Sequence, residues 1–271
     1  MGRILWLANK FTKNRKPFMK VSIITATFNS RTYIENCIKS IKDQTYKTIE
    51  HIIIDGGSSD GTLDIIERYK EEISYWLSES DNGIYDAMNK GIKAATGDII
   101  GILNSDDVYA DEFVIENVVK CLSGNNVSTC YGDLVYVDQN DTSKIVRIWK
   151  SCDFSKERFK KGWMPPHPTF FVRKYIYEKY GMFNLNFPMA ADYELMLRFL
   201  YKYNVSTTYI PKVLVKMRTG GTCRPGFLNT PKNVIENYKA WKINYLNPNP
   251  VTFILKPLSK ALQYFKRAQG F

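Results

Sequence analysis

Residues 97–107, GDIIGILNSDD, decide the fold. The apolar part of this stretch predicts a buried strand, and the strand ends abruptly at two adjacent carboxylates, Asp106 and Asp107. Two like charges at a strand tip repel each other, and neither is cheaply buried. A divalent cation such as Mg²⁺ or Mn²⁺ would relieve that conflict, because it takes carboxylate oxygens together with substrate phosphates. The alternative is a solvated turn from which Asp107 begins the next helix.

The residues before this stretch alternate between strand and helix patterns. Strands are predicted over 21–27, 49–54, 73–77 and 98–103, and the first and last of them are predicted to be buried. Helices are predicted between them, opening at a capping-box pattern, Thr32-x-x-Glu35, and then near Thr62 and Ile84. This alternation predicts an α/β fold with a mainly parallel central sheet flanked by helices.

Polar clusters follow three of these strands, at residues 25–29, 55–59 and 104–107. Parallel sheets bind ligands beyond the carboxyl ends of their strands. The three clusters therefore predict one binding site at one edge of the sheet.

The pattern changes near residue 126. Two antiparallel strands are predicted over 131–137 and 145–149 around a turn at 139–141. A short strand at 168–172, helices at 175–180 and 190–203, and a strand at 207–217 complete this half. We expect a smaller antiparallel part that packs directly on the first half, since no low-complexity linker separates them.

The composition narrows the class of protein. The chain has 271 residues, of which 44% are hydrophobic, enough for one large or two small cores. Five cysteines without C-x-x-C spacing and only two histidines argue against a zinc site and favour a reducing, cytoplasmic compartment. Neither a transmembrane segment nor a signal peptide is expected.

The net charge of +11 is concentrated at the two ends. Residues 1–20 carry six basic residues and no acid, and residues 231–271 carry seven basic residues and one acid. A nearly neutral body between basic ends argues against a nucleic-acid groove. Both ends are amphipathic, which predicts contact with an anionic membrane surface; packing of the C-terminal helix on its own domain is the alternative. We therefore predict an extension at 1–19, a catalytic domain at 20–220 and a basic amphipathic segment at 221–271.

Four single residues are candidates for chemistry. Asp55 ends a strand and could accept an N–H from a nucleotide base, or it could cap the following turn. Asp192 opens a helix and could be a general base, or it could stabilise the helix dipole. His167, in a proline-bounded loop, could contact an acceptor or a phosphate, and Arg218 could bind a diphosphate; an ordinary loop histidine and a surface arginine are the alternatives.

Five motifs together resemble family 2 glycosyltransferases, whose fold is the nucleotide-diphospho-sugar (GT-A) fold. They are VSIITATFN (21–29), IDGGSSDGT (54–62), SDNGIYDAMNKG (80–91), NSDD (104–107) and ADYE (191–194). The resemblance covers roughly residues 20–220, with a nucleotide half at about 20–125 and an acceptor half at about 126–220. It is greatest to the small bacterial enzymes that build O-antigen and capsule repeat units.

The resemblance implies a role for each matching residue. The nucleotide would lie against Ala26, Thr27, Phe28, Asp55 and Gly83, and the sugar nucleotide's ribose against Asn104 and Ser105. Asp106, helped by Asp107, would bind Mn²⁺ or Mg²⁺, because Asn104 stands where the family usually has an aspartate. Asp192 falls on the catalytic base of the family.

The implied activity is the inverting transfer of one sugar from a UDP-sugar to a polyprenyl-diphosphate-linked saccharide at the inner face of the cytoplasmic membrane. The Q-x-x-R-W sequence of processive synthases is absent, which favours a single transfer. Two alternatives stay open at this point: a sugar nucleotidyltransferase, and a non-catalytic nucleotide- or glycan-binding module. The donated sugar, the linkage and the oligomeric state do not follow from the sequence.

Overall fold

The computed structural model describes residues 19–124, 126–220 and 231–248. Residues 1–18 and 249–271, on which most of the predicted basic ends fall, lie outside the described residues. The strands are β1 (Val21–Thr27), β2 (Ile49–Asp55), β3 (Tyr75–Ser78), β4 (Ile99–Ile102), β5 (Val108–Tyr109), β6 (Thr129–Val137), β7 (Ile145–Trp149), β8 (Phe171–Arg173) and β9 (Thr207–Arg218). The helices are α1 (Ile34–Lys42), α2 (Thr62–Arg68), α3 (Ile84–Ala94), α4 (Val114–Gly124), α5 (Lys156–Lys160), α6 (Lys174–Tyr180), α7 (Ala191–Met196) and α8 (Pro231–Ile243).

The strands form one mixed sheet in the order β3-β2-β1-β4-β8-β6-β9-β5, with β7 paired to β6. Strands β3, β2, β1 and β4 are parallel to one another, which confirms the predicted α/β architecture. Strand β8 is antiparallel to both β4 and β6, and it joins the two halves into a single sheet. The predicted antiparallel pair β6–β7 is present, whereas the long parallel pairing of β6 with β9 was not indicated by the sequence.

The backbone register brings the three polar clusters to one edge. Thr27 pairs with Asp55 at the end of β1 and β2, and the Ser105 N–H donates to the Ala26 carbonyl at 3.4 Å. The prediction of one shared edge is therefore confirmed.

Side chains of the parallel strands alternate between the two faces of the sheet, as a strand period of two requires, and they enter three buried clusters. Ile24, Ile52 and Ile100 lie in the cluster under α3 and α7, while Val21 and Ile99 lie in the cluster on the opposite face. Helix α3 approaches β1 so closely at Gly91 that an added Cβ would lie 2.3 Å from Ile24 Cγ2. A side chain at this position would clash with Ile24, so glycine allows the close packing of α3 on β1.

Several local predictions need correction. The capping box is wrong: α1 begins at Ile34 after Tyr33 and has no side-chain cap. Glu35 instead pairs with Lys39 at 2.8 Å. The predicted helix over 190–203 is α7 followed by a π-helical turn, Leu197–Lys202.

The predicted strand at 168–172 is a 3₁₀ turn, His167–Thr169, followed by β8. Helices α4, α5 and α8 were missed. Within the described ranges, no helix is long and apolar enough to cross a membrane.

Candidate active site

A cleft of about 440 Å³ opens at the carboxyl edge of the parallel strands, between the two halves. Its walls include ten of the predicted site residues: Ala26, Thr27, Phe28, Gly83, Asn104, Ser105, Asp106, His167, Asp192 and Arg218. Two predicted residues, Asp55 and Asp107, are fully buried behind the walls. The structure thus brings together candidates that are up to 192 positions apart in the chain.

Asp55 organises the loop that follows β2. Its Oδ2 accepts hydrogen bonds from the N–H groups of Gly57 at 3.0 Å and Ser58 at 2.8 Å, and from Ser78 Oγ at 2.7 Å. Ser58 Oγ donates to Oδ1. A carboxylate offers about four acceptor positions, two on each oxygen, so a further donor would have to reach Oδ1.

One end of the cleft has an aromatic ring and a carboxylate that sequence reasoning did not pair. Phe28 is 64% exposed at the rim, and Asp81 accepts a hydrogen bond from the Gly83 N–H at 2.8 Å. A Cβ added to Gly56 would lie 2.7 Å from Asp81 Oδ2 and 3.4 Å from Phe28 Cδ2. Asp81 comes three residues after β3, and Asp55 is the last residue of β2, so both lie at the carboxyl end of a parallel strand. That position was the signal available in the sequence.

The middle of the cleft presents oxygen atoms suited to a hard cation. Asp106 lines the cleft, and burial raises the pKa of its carboxyl above the ordinary value, while the charge of Arg218 opposes that rise. The side-chain carbonyl oxygen of Asn104 is buried with no hydrogen-bond partner in the part of the chain that the structure describes. A buried carboxyl and an unpaired carbonyl would both be stabilised by a bound cation.

Asp107 does not join Asp106 in the cleft. It is fully buried, and burial, followed by the neighbouring charge of Asp106, raises its pKa well above the ordinary value. Among the described residues, no group of three or more His, Cys, Asp or Glu side chains converges as a metal cage. Asp106 is therefore the carboxylate that a cation in the cleft would meet.

Arg218 connects the two halves at this point. It lies at the end of β9, is 4% exposed, and its Nη1 donates to the Asp106 carbonyl at 2.7 Å. Its guanidinium carbon lies 5.1 Å from the centroid of the Tyr33 ring. The buried guanidinium therefore lies between Tyr33 and the backbone of Asp106, beside the proposed cation position.

The opposite wall holds a carboxylate contacted on both oxygens. Asp192, in the first turn of α7, accepts a hydrogen bond from Tyr85 Oη at Oδ1 (3.2 Å). His167 Nδ1 lies 3.2 Å from Asp192 Oδ2. Tyr85 is itself stacked on Phe183, with ring centroids 5.3 Å apart. Asp192 is therefore oriented toward the cleft, where it could accept a proton from a bound hydroxyl.

Comparison with known proteins identifies the family of this chain. The profile described as Glycosyl transferase family 2 matches residues 22–181. An uncharacterised glycosyltransferase of Mycobacterium tuberculosis is 37% identical over 185 residues, which cover 66% of this chain and 68% of that protein.

Two solved structures share the fold. The Staphylococcus aureus TarS 1–349 complex with UDP-GlcNAc has a TM-score of 0.66 at 18% identity, covering 92% of this chain and 74% of TarS 1–349. In another TarS 1–349 structure the match spans 64% of that chain. The mannosyltransferase PcManGT of Pyrobaculum calidifontis, in complex with GDP-Man and Mn²⁺, has a TM-score of 0.64 at 19% identity, covering 98% of this chain and 77% of the other.

The matched profile covers more than half of the chain, and the fold is of the GT-A type. The protein belongs to glycosyltransferase family 2 and is a glycosyltransferase enzyme.

Proposed function

We propose that this enzyme is an inverting, metal-dependent glycosyltransferase that moves one sugar from a UDP-sugar to a hydroxyl of a polyprenyl-diphosphate-linked saccharide. The process it would serve is bacterial surface polysaccharide synthesis, of which O-antigen is one kind. The observation that carries the proposal is that Asp106 and Asp192 face one cleft from opposite halves. A donor diphosphate bound at Asp106 and an acceptor hydroxyl bound at Asp192 would meet between the two residues.

The donor's nucleotide would occupy the end of the cleft formed by Ala26, Thr27 and Phe28. The exposed Phe28 ring offers a stacking face for a base. Asp81 lines the cleft and could accept an N–H from the base edge, which uracil presents. Asp55 would accept one only through Oδ1, because it is buried behind the wall and its Oδ2 already accepts three hydrogen bonds. Support for a nucleotide-sugar donor also comes from the fold neighbours, which hold UDP-GlcNAc and GDP-Man.

The residues present fit a divalent cation. Asp106 and the Asn104 carbonyl oxygen would hold Mn²⁺ or Mg²⁺, with the donor's phosphates completing the oxygen ligands. When bound, the cation supplies positive charge that stabilises the departing diphosphate. Arg218 adds a fixed guanidinium on the same side.

Asp192 would be the general base. Its carboxylate takes the proton of the acceptor hydroxyl as that oxygen attacks the anomeric carbon, and the bond from that carbon to the diphosphate breaks. A single displacement inverts the anomeric centre. Tyr85 and His167 would hold the carboxylate in line for the attack.

The basic residues at 1–20 and 231–271 favour a place on the inner face of the cytoplasmic membrane, where a polyprenyl-linked acceptor would lie. The acceptor is proposed as a saccharide because the wall around Asp192 combines apolar and polar groups, including Met189 and Asn233.

The first experiment is a thermal-shift series with UDP, GDP, CDP and dTDP, each with and without Mn²⁺. A ligand at 100 times its Kd adds about 2.7 kcal/mol, which corresponds to roughly 5–10 °C at this chain size. We expect a UDP-selective, Mn²⁺-dependent shift that Asp106→Ala abolishes. Asp64→Ala, which changes an exposed acid on α2, should keep the shift.

The outcome decides between nucleotide classes. A melting-temperature shift with GDP, CDP or dTDP in place of UDP would assign the donor to the sugars of that nucleotide. No shift with any of the four would contradict the proposed transferase reaction.

A further inference from the structure

Helix α8 differs from an ordinary surface helix because its polar side is buried and its apolar side is exposed. Its buried side is largely polar and consists of Asn233, Glu236, Asn237, Ala240, Trp241 and Asn244, the last just beyond the helix end. Its outward side carries large apolar residues, Val234, Ile235, Tyr238 and Ile243, all at least 39% exposed, and Tyr245 follows at 93%. Surface helices normally place such residues against the core.

Specific hydrogen bonds fix which side of α8 faces inward. Glu236 Oε2 accepts from the Met189 N–H at 3.0 Å, and Trp241 Nε1 donates to Tyr193 Oη at 2.8 Å. Asn244 Nδ2 donates to Glu194 Oε1 at 3.0 Å. Rotating the helix to bury its apolar side would leave these polar groups unpaired, so the apolar side stays outward.

The outward side is also basic. Lys232, Lys239 and Lys242 are exposed on it, whereas Glu236, the one acid of α8, faces inward. Lys242 Nζ lies 5.7 Å from the Tyr238 ring centroid, and Lys202 Nζ lies 5.5 Å from that of Tyr245. We call this surface the α8 face and define it by Lys232, Val234, Ile235, Tyr238, Lys239, Lys242, Ile243 and Tyr245.

We infer that the α8 face docks on an anionic lipid membrane. Apolar and aromatic residues among lysines, with no acid on the same side, match the boundary between anionic headgroups and acyl chains. The 23 residues after Pro248 add four basic residues and no acid, so the positive charge continues along the sequence. A soluble protein partner or a second copy would leave the three lysines without an evident counter-charge.

The position of the face relates it to the cleft. Asn233 of α8 lines the cleft, and so does Met189, whose N–H is bound by Glu236. Docking would therefore bring the acceptor wall of the cleft next to the membrane. In this respect the inference extends the proposal of a lipid-linked acceptor and rests on that proposal. The experiment that tests it does not depend on the acceptor.

The test is co-sedimentation of the 271-residue chain with vesicles, without donor or acceptor. The vesicles are phosphatidylcholine alone or phosphatidylcholine with 30% phosphatidylglycerol, about the anionic level that attracts basic surfaces. The apolar variant is Ile235→Ser/Tyr238→Ser/Ile243→Ser, and the charge variant is Lys232→Gln/Lys239→Gln/Lys242→Gln. Matched controls are Tyr75→Ser/Phe113→Ser/Ile145→Ser, with comparable exposure elsewhere, and Lys47→Gln/Lys120→Gln/Lys144→Gln.

We expect the wild type to pellet with anionic vesicles, and the partition coefficient to fall by at least about tenfold in the apolar and charge variants. Both controls should bind as the wild type does. Wild-type binding that survives in both variants would overturn the inference and assign the binding to the chain ends. A wild type that does not pellet would also overturn it.

Two further readouts identify other occupants of the face. A concentration-dependent dimer in sedimentation velocity that the apolar variant abolishes would show that a second copy covers the face. A wild type that stays in solution, with an apolar variant that melts several degrees lower, would show that the chain itself covers it. None of these results bears on nucleotide binding, so the transferase proposal stands or falls separately.

Discussion

In the nucleotide half of the cleft, the polar residues directly follow strands β1, β2 and β4, whereas in the acceptor half they come from a 3₁₀ turn, a helix and the end of a long strand. The first set is positioned by backbone register: Thr27 pairs with Asp55, and the loop after β4 bonds to Ala26. The second set is positioned by side-chain contacts, since Asp192 is held by Tyr85 and His167.

The difference separates two kinds of function. A register-defined edge presents backbone groups and buried carboxylates, which suit the binding of a nucleotide and its diphosphate. A carboxylate held by side chains from distant segments suits proton transfer, because its geometry depends on few contacts that a substrate could complete. Substitutions in the two halves should therefore affect different steps.

The largest effect is expected for Asp192→Asn. Asparagine keeps the size of the side chain but cannot accept the hydroxyl proton, so turnover should fall by about 10²–10⁴-fold. The melting shift with UDP and Mn²⁺ should not change, because Asp192 lies on the wall opposite Asp106 and is not proposed to contact the nucleotide. A variant with most of its turnover intact would remove Asp192 from the role of base.

Arg218→Lys tests the connection between the halves. Lysine keeps the charge but loses the planar fork that bonds the Asp106 carbonyl and stacks on Tyr33. A small displacement at this point should lower turnover by about 10²-fold and also weaken UDP binding, measured by calorimetry. Arg68→Lys, on the exposed side of α2, is the matched control. An effect on turnover alone would place Arg218 with the acceptor half.

Glu50→Gln tests the nucleotide half at the sheet end opposite the cleft. Glu50 is buried and pairs with Lys20 Nζ at 2.8 Å, Ser22 Oγ at 2.6 Å and the Thr96 N–H at 2.8 Å. Burial alone raises the pKa of its carboxyl, but these hydrogen bonds outweigh it and lower the pKa to about 2.

Because the folded pKa lies below the unfolded value of about 4.3, the stabilising effect is fully present above that pH and is lost as the pH falls toward 2. Loss of charged hydrogen bonds costs about 1.5–3 kcal/mol, so Glu50→Gln should lower the melting temperature at pH 7 by about 3–10 °C. It should also flatten the fall in melting temperature between about pH 4.3 and pH 2. Turnover at 25 °C should not change, and a loss of turnover would contradict the separation of this sheet end from the site.

The same contrast explains how much the sequence predicted. In the nucleotide half, strand ends and polar clusters coincide in sequence, so the parallel sheet and its binding edge followed from periodicity alone. Asp81 was missed as a cleft residue although it obeys the same rule, because β3 is short and half-exposed. Asp107 was expected beside Asp106, but the chain turns at 104–107, where the Asp107 N–H donates to the Asn104 carbonyl at 3.0 Å, and the Asp107 side chain is fully buried.

In the acceptor half, the family resemblance pointed to Asp192 as a candidate. The local sequence patterns did not predict its contacts with Tyr85 and His167. Tyr85 Oη and Asp192 are 107 positions apart and meet only through the packing of α3 against the segment before α7. No spacing rule in one sequence encodes such a contact. The inverted α8 was missed for a related reason: its apolar residues lie on the side that helical patterning assigns to the core.

The smallest effect is expected for Tyr85→Phe, which tests the hydrogen bond from Tyr85, in the nucleotide half, to the proposed base Asp192. Phenylalanine keeps the stack on Phe183 and removes only the hydroxyl 3.2 Å from Asp192 Oδ1. A net loss of about 1 kcal/mol would lower kcat roughly fivefold, with KM for the donor unchanged. Tyr69→Phe, which removes a hydroxyl bonded to Glu35 far from the cleft, should leave kcat unchanged.

A rise in donor KM instead would mean that Tyr85 acts through the nucleotide pocket that α3 also lines. The two halves would then be coupled through this helix. A fall in kcat alone would mean that the nucleotide half contributes one side chain to proton transfer while its own binding surface stays independent, which is the separation that the backbone register and the side-chain contacts predict.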